Sequence, residues 1–202
     1  MEFKTAYLRF CILTFILMSG WLNAQDEIVE IMNEAKSAYQ NKEYMEAASN
    51  LNEALRQIND LIIAELKSFL PESFDGWNAQ KAEGGASGLS LLSELSVKRR
   101  YLKSGGKSVD VEIVSNAAKI PTIRMWFANP ASMNAHEGFE ISEINKFRCI
   151  ERYDKLDRYA ELNFIVGSSL LVVIRGFETK NTDDVKKFAE KIDLQKIENK
   201  YP

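Results

Sequence analysis

The chain has 202 residues and carries 26 basic against 29 acidic side chains, a net charge of -3, with 46% apolar residues. That balance excludes an evenly basic nucleic-acid binder. With one histidine (His136) and two cysteines (Cys11 and Cys149), most metal, thiol and histidine-based chemistries have little to work with.

The first residues read as an export signal. Lys4 and Arg9 give a positive start, "FCILTFILMSGWL" gives an apolar run, and "NAQ" closes it, so cleavage is expected after Ala24 and residues 1–24 form a signal peptide. The apolar run is shorter than the roughly 20 residues a bilayer span needs. Cys11 lies inside that run rather than just after small residues at its end, which argues against a lipid-anchored cysteine. The mature chain is expected to be periplasmic or secreted, without a stable membrane span. Removing Glu2, Lys4 and Arg9 leaves 24 basic and 28 acidic side chains, a net charge of -4. About 178 residues remain, enough for one domain with a core or a small domain with an appendage. Cys149 then has no partner within the chain, and in "KFRCIERY" it is expected to be a small buried hydrophobe on a strand.

From Asp26 to about Phe69, apolar and small residues recur at helical spacing without proline or glycine, and "QNKE" is the expected break between two antiparallel helices. The region 25–70 is therefore a helical hairpin. In "AKSAYQNKEYMEAASNLNEAL" it resembles a single tetratricopeptide unit: Ala35 and Ala38 are small where the helices meet, Tyr44 fills the turn, and Ala47, Leu51 and Ala54 line the inner face. Lys42 stands where that pattern commonly has a turn glycine, and Asn59 where a proline closes the unit. Without that breaker, the second helix is expected to run through "DLIIAELKSF" to a length of about 25 residues.

Pro71 ends the helix, because proline biases the preceding residue away from helical geometry. In "LPESFDGWNAQ", Gly76 supplies a turn and Trp77 is expected to start the first strand and to pin the helical hairpin onto the sheet. Residues 71–202 then read as an antiparallel α+β domain. "SVKRRYL" and "SVDVEIVS" flank the "KSGGK" turn, Pro121 starts a short helix in "IPTIRMWFAN", and "GFEISEI", "KFRCIERY", "RYAELNFIV" and "SLLVVIRGF" are four more strands. Thr182, Asp183 and Asp184 open one last helix, "VKKFAEKIDLQKI". The expected fold is a helical hairpin followed by an antiparallel sheet of about six or seven strands with two packed helices.

Taken together, Leu70, Pro71, Gly76 and Trp77, "EGGASG", "RRYLKSGGKSVDVEIVSN", "MWFANP" and "FAEKID" resemble a set of exported bacterial proteins that share an LP-x-x-x-x-GW junction. Their layout is similar to the PsbP-like fold, an α/β/α sandwich. The resemblance implies a non-enzymatic accessory or assembly role and brings no catalytic residue with it.

"EGGASG" lacks the Lys-Ser or Lys-Thr of a phosphate cradle and is expected to be a flexible loop, so no cofactor is implied. His136 lies in a polar loop with no nucleophile motif, and no calcium-loop spacing appears, so neither a catalytic nor a metal site is assigned. Asp154 and Asp157 read as turn formers. Period-two alternation puts Lys98 and Arg100 on one sheet face and Arg99 on the other. Lys98 and Arg100, together with Trp77, Met125, Trp126, Phe127 and Met133, are the candidate partner or ligand surface. Three functions follow: an exported, non-catalytic accessory or binding protein that contacts another envelope protein; a carrier of a small apolar ligand between the sheet and the Trp126 helix; and a hydrolase with an unrecognised site.

Overall fold

The computed structural model describes residues 27–88, 94–133 and 138–202. They form an α+β protein in which a pair of helices precedes an antiparallel sheet. The signal-peptide reading, with Cys11, lies outside the described residues. Two compact units divide between Asn59 and Asp60, within the second helix rather than at Pro71.

In the first unit, helix α1 (residues 27–40) turns into α2 (Tyr44–Ser68). Ile28, Ala35, Ala38, Ala47 and Ala54 are buried, and Gln57 Nε2 reaches Glu27 Oε1 at 3.4 Å across the pair. The turn explains the missing glycine. Lys42 takes it with φ 66°, donating to Tyr39 O while Glu43 donates to Ala38 O, the two bonds of a Schellman cap. Tyr44 and Leu51, expected to fill the turn and line the inner face, are instead exposed on the outside of the helices.

The 25-residue α2 runs as expected through the second unit's boundary to Ser68. Its end tightens, with Phe69 and Leu70 donating to the carbonyls of Leu66 and Lys67, three residues back. Asp75 (φ 48°) and Gly76 (φ 79°) then form a two-residue turn, across which Phe74 and Trp77 exchange both backbone hydrogen bonds. Two consecutive positive φ values are what an Asp-Gly pair supports in a type I′ turn.

The sheet comprises β1 (Asn78–Ala79), β2 (Glu83–Ser87), β3 (Glu94–Leu102), β4 (Ser108–Ser115), β5 (Phe139–Ile144), β6 (Phe147–Asp154), β7 (Tyr159–Val166) and β8 (Leu170–Phe177). All pairs are antiparallel in the order β1-β3-β4-β8-β7-β6-β5, and β2 also lies against β3. The "EGGASG" segment is thus an edge strand, not a loop: Glu83 to Ser87 pair with Lys98 to Glu94. Crowding accounts for one of its glycines, Gly84, whereas Gly85 has open space beside it. A Cβ on Gly84 would come within 2.7 Å of Ile63 Cγ2 and 2.8 Å of Lys67 Cε, so the absent side chain admits the last turns of α2. The β3–β4 hairpin turns as read, with Gly105 and Gly106 at positive φ.

Alternation along the strands makes two unlike faces. Val97, Tyr101, Val109, Val111, Ile113, Leu162, Phe164, Val172 and Ile174 form one continuous core with Ile63 and Leu66 of α2 and with the C-terminal helices. On the opposite face Ile150, Leu171 and Val173 pack under helix α3 (Ile120–Ala128). The single C-terminal helix expected from sequence is two, α4 (Asp183–Lys191) and α5 (Leu194–Lys200). Ile192 is extended, and Asp193 caps the second helix by accepting from Lys196 N at 2.9 Å.

Trp77 belongs to the first core. It is 1% exposed and packs edge-on against Phe188 of α4 at 5.3 Å, with Lys103 Nζ 5.2 Å from its ring centroid. Trp77→Ala should destabilise the fold by about 3–5 kcal/mol. Chemical denaturation followed by circular dichroism measures it, and an unchanged midpoint would remove Trp77 from the core.

Candidate functional site

Two arginines tether helix α3, one from its middle and one at its C-terminal end: Arg124 Nη2 donates to Ser168 O at 2.8 Å, and Arg148 Nη2 donates to Phe127 O at 3.2 Å. Ile120 and Ile123 face the sheet. Trp126 and Phe127 are half-buried, Met133 is buried beneath the helix, and Met125 is 51% exposed. Among the candidate residues, then, Trp77 and Met133 are core, whereas Met125, Trp126 and Phe127 reach the surface. Arg148 stacks 4.7 Å over the Phe127 ring, which turns that residue away from the space described next.

Between α3 and the sheet lies a cavity of about 260 Å³. Its walls are Ile123, Trp126, Phe139 and Ile150, and its polar lining is Lys119, Thr122, Arg152, Glu161 and Asn163. Trp126 and Phe139 meet at 5.6 Å with planes tilted by 57°. Few polar groups set into an apolar wall is the usual composition of a small-molecule site, and the volume lies just under the range of roughly 300–1,000 Å³ for such sites.

The floor is electrostatically ordered. Glu161 accepts from Tyr159 OH and from Asn163 Nδ2 at 2.7 Å, with Arg175 Nε at 3.4 Å and Lys119 Nζ at 3.8 Å. Burial alone would raise its pKa, but the Tyr159 and Asn163 bonds and the cationic neighbours hold it below the ordinary value. Arg175 is shared with Glu112 at 2.6 Å. Asn163 is 3% exposed, and its buried Oδ1 has no hydrogen-bond partner among the described residues. Arg152 lies 5.3 Å over the Phe139 ring, and its carboxylate contact, Asp154, is at 3.4 Å.

Lys98 and Arg100 share a face, as the alternation indicated, but converge on Asp110, which is 2% exposed: Lys98 Nζ at 2.8 Å, Arg100 Nε at 2.7 Å. Burial pushes the Asp110 pKa up, and the two cations outweigh it, leaving the carboxyl below its ordinary value. Together with Gln80, Lys81 and Glu83 they line a separate polar groove along the β2–β3 edge. On the other face, Glu151 is held by Ser142 and by Lys186 of α4 at 2.7 Å, which overcome burial and lower its pKa.

Cys149 is fully buried, and burial pushes its thiol pKa up to about 12, which suits an inert core residue. Asp154 Oδ1 accepts from the amides of Leu156 and Asp157, as a turn former does. His136 lies outside the described residues. No group of three or more His, Cys, Asp or Glu among the described residues is placed to hold a metal ion, and no described helix is long and apolar enough to cross a membrane.

Sequence reading found the Trp126 helix but missed Lys119, Phe139, Arg152, Glu161 and Asn163. A signal existed: in "YAELNFIV" Ala160, Leu162 and Phe164 alternate with Glu161 and Asn163, so one face of β7 is polar at its centre.

The chain matches no family model and no curated protein. A solved structure, that of a GTP binding regulator from Thermotoga maritima, covers 65% of this chain and 85% of its own with 7% identity and a TM-score of 0.38, a likeness too low to carry an argument.

Asp110, Glu151 and Glu161 all have lowered pKa values, so the unfolded chain takes up their protons before the folded one does. The stability they contribute is complete above about pH 5 and is lost as pH falls through about 4 and below. Thermal melts from neutral to acid pH should show this fall, and Asp110→Asn with Glu161→Gln should flatten it. An equally steep acid limb in the double variant would assign the loss to other groups.

Proposed function

We propose that this is a non-catalytic binding protein of the bacterial cell envelope, and that its sheet domain holds a small, mainly apolar ligand between α3 and the sheet. The observation that carries this reading is the cavity itself: an apolar wall of Ile123, Trp126, Phe139 and Ile150 around a few fixed polar groups. The envelope location rests on the export-signal pattern of residues 1–24, and the non-catalytic role on the resemblance to exported accessory proteins. Native mass spectrometry of protein purified from its own host should show a co-purifying small molecule. Thr122→Trp, which places an indole in the cavity mouth, should remove it. A wild-type protein that arrives empty and takes up no apolar compound overturns the reading.

A second reading, contact with another envelope protein, is favoured by the helical pair. Val29, Met32 and Tyr39 of α1 and Tyr44 and Leu51 of α2 recur at helical spacing and are exposed, and the rings of Tyr39 and Tyr44 touch at 5.8 Å, joining the two stripes. A photo-crosslinker at Met32 or Leu51 in the native envelope should capture one discrete protein. Recovery of self-crosslinks alone counts against this reading.

A further inference from the structure

The cavity beneath α3 has a charge bias that its apolar walls conceal, and from it we infer the class of its ligand: a flat aromatic carboxylate, its ring against Trp126 and Phe139 and its acid group toward Arg152 and Lys119. This rests on the ligand-binding reading above and adds to it the ligand's charge and shape.

Three positive features border the cavity. Arg152 lies over Phe139 and Tyr159, with ring centroids 5.3 and 5.7 Å away, so its guanidinium is held at the rim by two aromatic faces. Asp154, its carboxylate contact at 3.4 Å, already accepts two backbone amides at the β6–β7 turn, so Arg152 is only loosely neutralised. Lys119 is the N-cap of α3, and its ammonium is 3.8 Å from Glu161, too long for a tight ion pair. The first turn of α3 also opens at the cavity through Lys119 and Thr122 and contains no acidic residue, so the positive end of the helix dipole adds to the two side chains.

The carboxylate lining the cavity is Glu161, which accepts from Tyr159 and Asn163 and faces Lys119 at 3.8 Å and Arg175 at 3.4 Å, the latter held more tightly by Glu112 at 2.6 Å. A ligand therefore meets at the rim a guanidinium that only a 3.4 Å contact with Asp154 engages, while Glu161 is already tied into the floor by its own hydrogen bonds. A carboxylate suits a planar, forked guanidinium, and an aromatic body suits two ring walls. A cationic ligand finds no unengaged carboxylate at the cavity.

The probes are 2-naphthoate and its neutral isostere 2-naphthamide, titrated into the purified full-length mature protein by isothermal calorimetry. Naphthoate should bind about ten-fold more tightly than the amide, the difference expected of a charge-assisted contact at a half-exposed site. Arg152→Met should abolish that preference while leaving amide binding intact. Arg158→Met, which removes an exposed arginine paired with Glu178 and not lining the cavity, should retain it, and circular dichroism confirms folding of both variants. Equal binding of the two wild-type probes, or an unchanged preference in Arg152→Met, overturns the anionic assignment and leaves the apolar-ligand reading standing. Binding of neither probe overturns both.

Discussion

The carbonyl of Pro71 is the point on which the second unit turns. Pro71 lies three residues beyond the end of α2, where the chain passes the sheet outside any helix or strand, and an unpaired carbonyl there is costly. Two side chains from one face of β3 resolve this: Tyr101 OH donates to Pro71 O at 2.7 Å, and Arg99 Nη1 donates to it at 2.8 Å while also reaching Glu72. Burial raises the Tyr101 pKa, which keeps its hydroxyl a donor throughout the physiological range. Because β3 is also the strand against which β1, β2 and β4 all pair, holding this carbonyl and registering the sheet edge are one event.

The division of labour between the sheet faces follows from how much helix covers each. One face meets α2, α4 and α5 and is apolar almost throughout. Among the described residues the other is covered mainly by α3 and the turn that follows it, and beside them it carries Asp110, Glu112, Glu161 and Arg175, cross-linked along and across strands. The cavity forms at the boundary between those regimes, where the last apolar residues of the α3 layer meet the first charged ones. Its mixed lining comes from that boundary.

Much of this was legible from local pattern. The 3.6-residue spacing of α2 and the absence of a breaker at Asn59 foretold its full length, and alternation with Gly105-Gly106 located the first hairpin. What failed did so either because the deciding contact was non-local or because a local cap competed with the helical pattern. The glycines of "EGGASG" read as flexibility, yet Gly84 is demanded by a helix that passes over it. "VKKFAEKIDLQKI" keeps helical periodicity across Asp193, but that residue forms a cap, and a competing local hydrogen bond divides the helix. The site was half visible: an aromatic helix could be seen, whereas the strand residues opposite it become neighbours only through the β5–β6–β7 register. Trp77 was ambiguous for the same reason, since a large ring after a turn suits a core as well as a surface until Phe188 is placed beside it.

Gly84 also works as a spacer gauge. The clearance above it sets the height at which the last turns of α2 ride over the sheet, and other contacts are cut to that height: Leu66 and Leu70 reaching into the core, Glu65 meeting Tyr201 at 2.5 Å and Lys200 at 3.1 Å. One missing methyl group at an exposed strand edge thus coordinates a helix end with the distant C-terminus. Any side chain at that position would shift these contacts as a set, so residue 84 has a mechanical importance out of proportion to its exposure.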